Sequence, residues 1–218
     1  MVEAGSVEHQ RRWVARTERR RETTRRVVEA AEGLFLERGY LATTMGDIAA
    51  AAGVAVQTLY LALGSKMAIL GAVLDRAVAG DDEPVPVLQR QWVKTLERED
   101  DGPRAVQLLV REGARVVGRS APIYRRMQEA AADLEVAELL SRTRARRHET
   151  MSGLVAVLAT KAGFARRLGT APAADILYAL VSEESYRLLC ADRGWSPTEW
   201  QRWVANSLTQ TYFPDGSE

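Results

Sequence analysis

The stretch that decides the fold is residues 43–66, which read TTMGDIAAAAGVAVQTLYLALGSK. Thr44 and Asp47 have the spacing of a capping box, in which a hydroxyl and a carboxylate each satisfy a helix-terminal amide of the other residue. We therefore predict a helix that begins after Thr44 and ends at Gly53. A second short helix follows over residues 55–62. Two short helices joined by a glycine-containing turn have the dimensions of a helix-turn-helix.

Helices are also predicted on both sides of this motif. Apolar residues recur at helical spacing over about 24–38, and Gly39 stands where a helix would end. Gly64 and Ser65 precede a further helix. The residues on the two apolar faces are Val27, Ala31, Leu34 and Phe35 before the motif, and Met67, Leu70, Val73, Leu74 and Ala77 after it. With Ile48, Ala49 and Leu59 holding the motif rigid, its second helix would be free to enter the major groove of DNA.

The rest of the chain is also predicted to be helical, which makes the fold class all-α. The predicted helices lie near 86–98, 104–118, 122–132, 135–163, 173–192 and 197–212, and prolines stand near most of the starts. No run of alternating β-branched residues indicates a strand. We expect a basic, flexible extension over 1–22, a three-helix domain with the helix-turn-helix over 23–80, and a larger helical domain over 81–218. The acidic residues 81–83 followed by Pro84 mark the boundary.

Composition argues against several classes of protein. A single cysteine, Cys190, excludes an internal disulfide and suits a reducing cytoplasm, and no apolar run is long enough to span a membrane. His9 and His148 are far apart, and no metal-ligand cluster, nucleophile motif or phosphate-binding glycine loop is present. We therefore expect a cytoplasmic protein with no catalytic residues, no metal, no cofactor and no membrane partner. The net charge of +1 argues against a nonspecific DNA-packaging protein.

The charge is distributed unevenly along the chain. Residues 1–26 carry eight arginines and four glutamates, a local charge of +4, which leaves −3 for the remaining 192 residues of a chain whose net charge is +1. A basic end on a slightly acidic body indicates a polyanion as partner. The arginines nearest the first predicted helix are Arg19, Arg20, Arg21, Arg25 and Arg26. They could reach an adjacent minor groove as basic arms do, or belong to a disordered, solvated tail.

The motif also resembles that of a known family. The residues concerned are Thr43-Thr44-x-x-Asp47-Ile48-Ala49, then Ala52-Gly53-Val54, then Thr58-Leu59-Tyr60-x-x-Leu63-Gly64-Ser65-Lys66. They are similar to the amino-terminal signature of the TetR family of transcriptional regulators, and the likeness covers residues 25–79. Gly46, Ala55 and Leu63 depart from the family's usual basic, serine and aromatic residues at these positions.

This resemblance implies a function and a mechanism. It implies a homodimer with one DNA reader per subunit, a palindromic operator in double-stranded DNA, and a larger helical domain that binds a small-molecule effector. The protein would be a ligand-responsive, sequence-specific regulator, by family default a repressor that leaves its operator when the effector binds. Whether DNA binding represses or activates is not written in the sequence.

The resemblance also implies roles for individual residues. Val56, Gln57 and Leu61 correspond to positions that face base edges, and Thr44, Thr58, Tyr60 and Lys66 to positions that hold phosphates. Gln57 could read an adenine and Val56 a thymine methyl group. Alternatives remain open for three of these residues: Thr44 could be only a helix cap, Tyr60 a core residue and Gln57 plain solvated surface.

The last two predicted helices could pair with their copies in a dimer. Their apolar stripes are Leu177, Leu180, Val181 and Leu188 on one helix and Trp200, Trp203, Val204 and Leu208 on the other. The same stripes could instead form a core within one chain. Glu183 interrupts the first stripe and could pair with Arg187 four residues later.

An effector pocket would lie among the helices of 86–163. Aromatic residues and flexible methionines line adaptable apolar cavities. The candidates are Trp92, Tyr124, Met127, Met151 and Tyr178, each of which also fits a plain core. Gly113, on an apolar helical face, could open space for a ligand or allow close packing.

Overall fold

The structure, a computed structural model, describes residues 3–81, 83 and 85–214, without side-chain detail for 3–12 and 15. The remaining residues, which belong to the predicted extension, domain boundary and carboxyl-terminal end, lie outside the described part. The chain separates into two compact units, one up to Asp75 and one from Arg76 onward. The limits of 23–80 and 81–218 for the two domains stay a prediction.

The first unit is built from helices around the predicted helix-turn-helix. They are α1 (Glu3–Arg38), α2 (Met45–Ala52), α3 (Val56–Leu63) and the start of α4 (Lys66–Ala79). The predicted capping box of α2 is confirmed, since the Thr44 side chain accepts from the Asp47 amide and the Asp47 carboxylate accepts from the Thr44 amide. Gly53 ends α2 with φ of 63°, a left-handed conformation that glycine adopts without strain.

The predicted start of the first helix near residue 24 is wrong, because α1 begins at Glu3. The added residues are mostly arginine, glutamate and alanine, which are good helix formers even where no core stabilises them. Arg25 strengthens the helix by pairing with Glu22 and Glu29, at 2.6 Å and 3.0 Å, one turn before and one turn after it. Polarity alone had suggested flexibility, whereas these residues form a regular helix in the structure.

The core of the first unit joins α1, α2, α3 and α4. Val27, Ala31 and Phe35 of α1 are fully buried, as the apolar stripe predicted, while Leu34 is half-buried. Ile48 of α2 and Leu59 of α3 are also fully buried. The two short helices are bent by 100° relative to each other, within the range of a helix-turn-helix. Each contributes its buried side chains to one shared core.

No single helix in the described residues is long and apolar enough to cross a membrane. The helices α2 and α3 reach that length and composition only as a bent pair.

The second unit contains longer helices, and no strand occurs anywhere in the described ranges. After a 3₁₀ turn, Val87–Gln89, come α5 (Gln91–Arg98), α6 (Gly102–Glu129), α7 (Leu134–Leu158), α8 (Thr170–Leu180), α9 (Glu183–Tyr186), a π-helical segment (Arg187–Ala191) and α10 (Pro197–Tyr212). The last helix has the predicted bounds.

Several predicted helix bounds in the second unit are wrong. The predicted helix 86–98 is the 3₁₀ turn followed by α5, and the predicted helix 135–163 ends at Leu158. The predicted separate helices 104–118 and 122–132 are one helix, α6, which runs through Pro122. Its buried positions keep one phase on both sides of this proline, so packing outweighs the lost amide hydrogen bond. The predicted helix 173–192 is instead broken at Val181. Ser182 caps the next helix by accepting from the Ser185 amide, and such serine contacts compete with helical backbone bonds.

The predicted dimer stripes lie largely in the core of their own chain. Leu177, Val181, Trp200, Val204 and Leu208 are all buried there. The reason is that α10 packs against α6 and α8 of the same chain. An apolar stripe looks the same whether it faces its own chain or a second copy. Leu180 is half-buried, and only Leu188 and Trp203, at 50% and 36% exposure, remain open to solvent.

Gly113 allows close packing at the break after α8. A β-carbon on Gly113 would lie 2.8 Å from the Val181 Cγ1 atom. We therefore expect Gly113→Ala to lower the free energy of unfolding by about 1–3 kcal/mol. Gly118→Ala is the matched control, because it lies on the same helix with no atom within 4 Å of the added carbon.

The control is expected to be neutral or to stabilise by up to about 1 kcal/mol, since alanine is the better helix former. Urea unfolding of both variants measures the difference. Equal stability of the two would show that Val181 does not press on α6.

Candidate nucleic-acid interface

Helix α3 presents one broad exposed side. Val56, Tyr60 and Leu61 are 42%, 52% and 77% exposed, and Gln57 and Thr58 are exposed too. With about 100° between successive residues, these five side chains cover about 200° of the helix surface. Leu59 points the other way and is fully buried. The alternative that Tyr60 is a core residue is therefore excluded.

The start of α3 is weakly capped. Ala55 stands at the N-cap position and its side chain makes no capping hydrogen bond. A serine there would supply an acceptor, which stabilises a helix by about 1 kcal/mol. The stability of α3 thus depends more on the packing of Leu59 than on capping of its first turn.

The hydroxyl group of Thr44 forms hydrogen bonds within the fold. Its hydroxyl donates its one proton to the Asp47 carboxylate at 2.7 Å and accepts from the Asp47 amide at 3.1 Å. These contacts with Thr44 also hold the pKa of Asp47 below its ordinary value. A phosphate oxygen needs a donor, so the geometry favours the capping role of Thr44 over the predicted phosphate contact.

Lys66 also has a structural role, while its phosphate contact stays a prediction. Its Nζ atom donates to the backbone carbonyls of Tyr40 and Thr43, both at 3.0 Å, and lies 4.2 Å from the centre of the Tyr40 ring. The half-buried amine therefore ties the loop between α1 and α2 to the start of α4.

Arg26 holds the turn of the helix-turn-helix. Its Nη2 atom donates to the carbonyl of Ala52 and, at 3.2 Å, to that of Gly53. These carbonyls end α2 and have no partner within the helix. The sequence grouped Arg26 with the arginines that could form either a DNA-binding arm or a solvated tail. No local signal distinguished it from its neighbours Arg19–Arg21 and Arg25.

The second unit contains a cluster of charges at the break between α8 and α9. Arg147 of α7 donates through Nη1 to Glu183 and, at 3.2 Å, to Glu184. The side chains of Arg147 and Glu183 are only 14% and 9% exposed. The predicted pair of Glu183 with Arg187 is wrong, because Arg187 pairs with Asp192. The Arg147 Nε atom is buried and has no hydrogen-bond partner in the described structure.

Hydroxyl groups complete this cluster. Ser120 donates to Glu183 at 2.8 Å and Tyr124 donates to Glu184 at 3.1 Å. Burial raises the pKa of Tyr124, which keeps its phenol protonated as a donor. Burial would also raise the pKa of Glu184, but the charge of Arg147 and the hydrogen bonds from the Glu184 amide, Tyr124 and Arg147 together outweigh it, and the pKa lies below its ordinary value.

The five predicted pocket residues differ in burial, and their sharing of one cavity stays a prediction. Tyr124 and Met127 are buried, and Trp92, Met151 and Tyr178 are half-buried. Tyr178 stacks on Arg147, whose guanidinium carbon lies 4.0 Å from the ring centre. One open depression of about 400 Å³ has charged and polar lining residues, Arg125, Gln128, Glu129, Arg187 and Asp192, and includes none of the five.

His148, the described one of the two histidines, contacts a single acidic residue. Its Nε2 atom lies 2.8 Å from the Asp175 carboxylate, and its side chain is 47% exposed. No group of three or more potential metal ligands occurs in the part of the chain that the structure describes.

We expect Lys66→Met to lower the free energy of unfolding by about 1.5–3 kcal/mol, because the carbonyls of Tyr40 and Thr43 lose a charged donor. Lys94→Met is the control, since Lys94 is exposed and should tolerate the change. Chemical denaturation measures both. An unchanged stability of Lys66→Met, together with weaker DNA binding, would show that Lys66 contacts phosphate and does not stabilise the fold.

Removal of Arg147 is expected to be more costly. Arg147→Met leaves the buried Glu183 without its counter-charge, which should lower the free energy of unfolding by about 3 kcal/mol or more. Adding Glu183→Gln should restore part of that loss. Arg115→Met is the control, because the Arg115 side chain is 62% exposed and Glu112 keeps Arg111 as a second partner, so the loss should be at most about 1 kcal/mol. If urea unfolding gives equal losses for Arg147→Met and Arg115→Met, the cluster is not a stabilising element.

Comparisons with known proteins agree with this geometry. Residues 27–73 match the family model described as bacterial regulatory proteins, tetR family. The repressor BepR of Brucella suis, an HTH-type transcriptional repressor, is 28% identical over 127 residues, which are 52% of this chain and 61% of BepR. The match thus spans less than two thirds of that relative.

Solved structures share the fold over most of the chain. NalD of Pseudomonas aeruginosa, the secondary repressor of the MexAB-OprM multidrug efflux pump, is 19% identical and superimposes with a TM-score of 0.66, covering 88% of this chain and 97% of NalD. A regulator from Saccharomonospora viridis in complex with choline is 20% identical, with a TM-score of 0.63, and covers 88% and 97% of the two chains. The helix-turn-helix over residues 27–73 thus matches the TetR family, and these solved structures share the all-helical fold of the chain.

Proposed function

We propose that this protein is a sequence-specific, DNA-binding transcriptional regulator that acts as a homodimeric repressor. The observation that carries the proposal is the exposed side of α3, on which five neighbouring side chains are free while Leu59 fixes the helix to the core. Exposed apolar side chains such as Leu61 are costly in water unless a partner covers them. A recognition helix in the major groove of DNA covers such a side.

The chemistry of α3 fits direct reading of base edges. Gln57 can donate to and accept from adenine at the same time, and Val56 and Leu61 offer apolar contact to thymine methyl groups. Thr58 and Tyr60 have hydroxyl protons for phosphate oxygens, which fix the position of the helix on the duplex. Thr44 and Lys66 also form hydrogen bonds within the fold, and their phosphate contacts stay predictions.

A dimer follows from the need to read a palindrome with one α3 per copy. Leu188 and Trp203, both exposed, with the half-buried Leu180, are the members of the predicted stripes that are available to a second copy. The edge of Trp195 lies against Trp203, with 6.2 Å between ring centres, and extends this apolar patch. The buried members of the stripes are excluded from the proposed interface.

A small-molecule effector is proposed to bind the second unit and release the protein from its operator. The likeness to the choline-bound regulator of Saccharomonospora viridis supports a ligand site in this unit. The similarity to BepR supports repression. The break between α8 and α9, where Arg147 meets two carboxylates, is a place where a ligand can change helix packing.

Selection of bound sequences from random duplex DNA at physiological salt tests this function. A palindrome is expected for the wild-type chain. Gln57→Ala should relax the choice at one base pair of each half-site, with a loss of about 1–3 kcal/mol in discrimination. Gln210→Ala, an exposed glutamine on α10, is the control and should leave the selected sequence unchanged.

Two results would contradict the proposal. Enrichment of no sequence by a folded protein would exclude a specific regulator. An identical palindrome for wild type and Gln57→Ala would show that α3 does not read bases through this residue.

A further inference from the structure

We propose that the helical amino-terminal extension is a second DNA-binding surface, which binds the phosphate backbone of duplex DNA beside the segment read by α3. The surface consists of Arg16, Arg19 and Arg20 of α1, here called the arginine stripe. The inference rests on the proposed function, because it places the stripe on the same DNA as α3. It goes beyond it by assigning a binding site outside the helix-turn-helix.

The stripe is a consequence of helical phase. At about 100° per residue, Arg16, Arg19 and Arg20 fall within an arc of about 100° on α1. The nearby acidic residues Glu18, Glu22 and Glu29 fall within about 40° of one another and outside that arc. Arg16, Arg19 and Arg20 therefore lie on one side of the helix and these three glutamates on another.

The arginines of the stripe are available to a ligand. All three are exposed, and no carboxylate in the described residues lies within ion-pair distance of them. Arg25 differs, because it lies on the acidic side and pairs with both Glu22 and Glu29. Free guanidinium groups on one helix face match the spacing of charge on a polyanion.

Arg26 relates the stripe to the helix-turn-helix. Its side chain reaches the carbonyls of Ala52 and Gly53, at the turn that leads into α3. Arg19 lies about 20° from Arg26 around the helix axis and about 10 Å before it along the axis. The stripe thus continues, toward the amino terminus, the side of α1 that touches the turn.

The helical state of the extension decides which part of DNA it can bind. A helix with side chains is about 10–12 Å across, whereas the minor groove is about 6 Å wide. The predicted insertion of an extended arm into the minor groove is therefore not compatible with α1. Phosphates at the groove edge accept from arginine without requiring the helix to enter a groove.

An anionic membrane surface would offer the same charge but needs an apolar face on the helix. Trp13 and Val14, the exposed apolar residues among the described side chains of this segment, are about 100° apart and form no stripe there. Duplex DNA is therefore the partner we assign, and lipid vesicles belong in the test.

The run Arg19-Arg20-Arg21 supplies a matched set of variants. Arg19→Gln and Arg20→Gln remove stripe residues, while Arg21→Gln removes an exposed arginine from the opposite side of the same helix. Each full-length variant is titrated with two duplexes, the selected operator with flanking sequence and a random duplex of equal length, over a range of salt concentrations. Circular dichroism checks that α1 stays helical.

We expect Arg19→Gln and Arg20→Gln to reduce the slope of log affinity against log salt by about 1.8 each, from one phosphate contact in each of two subunits. Wild type would then lose about tenfold more affinity than either variant between 50 and 200 mM salt. Arg21→Gln should keep the wild-type slope. On an operator shortened to the palindrome, wild type and the stripe variants should have equal slopes.

The remaining outcomes separate this inference from the proposed function. Equal losses in all three variants would show a general charge effect, and no loss would show that the stripe does not touch DNA; either overturns the inference. If no operator is selected but only the stripe variants bind random duplex less well, the stripe holds and specific regulation fails. Absence of binding to any duplex, or binding to vesicles of anionic lipid instead, overturns the inference.

Discussion

The helix-turn-helix depends on hydrogen bonds that its own short helices cannot supply. Helices leave four amides and four carbonyls unpaired at their ends, and α2 and α3 have only eight residues each. Partners for α2 come from Thr44 and Asp47 at its start and from Arg26 at its end, while Lys66 ties down the loop before it. Because Arg26 belongs to α1 and Lys66 to α4, both neighbouring helices hold the motif. The exposed side chains of α3 are therefore not needed to stabilise the motif.

The charge cluster of the second unit is centred on Arg147, whose guanidinium group is largely shielded from solvent. Arg147 needs both Glu183 and Glu184, and Ser120 and Tyr124 complete the carboxylates' hydrogen bonds. Glu183 and Glu184 are adjacent residues of α9, and both accept from the Arg147 Nη1 atom. The break at Val181 places them at the start of a new helix, where the helix dipole also favours negative charge. Gly113 makes room for that break.

The sequence was sufficient for features that local chemistry determines, such as the capping box of α2, Gly53 and the bounds of α10. The exposed side of α3 followed from the phase of Leu59. Features that depend on distant partners were not predictable. Arg26 is one arginine among many until α2 is folded beside it, and Arg147 pairs with residues 36 and 37 positions away. The Trp200 stripe was recognised as apolar, but periodicity does not say which chain covers it. The break near Pro122 and the flexible extension were wrong predictions, because composition alone does not show that the helical phase continues through them.

Because α1 is continuous, the number of residues in the extension determines the direction in which its arginines point. The helix runs without a break from Glu3 to Arg38, and its carboxyl-terminal half is fixed in the core by Val27, Ala31 and Phe35. One residue inserted after Arg20 would rotate everything before it by about 100° and carry Arg16 and Arg19 toward the side where the acidic residues lie. Seven inserted residues would change the orientation by only about 20° while moving the arginines about 10 Å outward. Insertions and deletions in this segment are therefore constrained by phase, in the way that the spacing between two binding sites on DNA is constrained by the helical repeat.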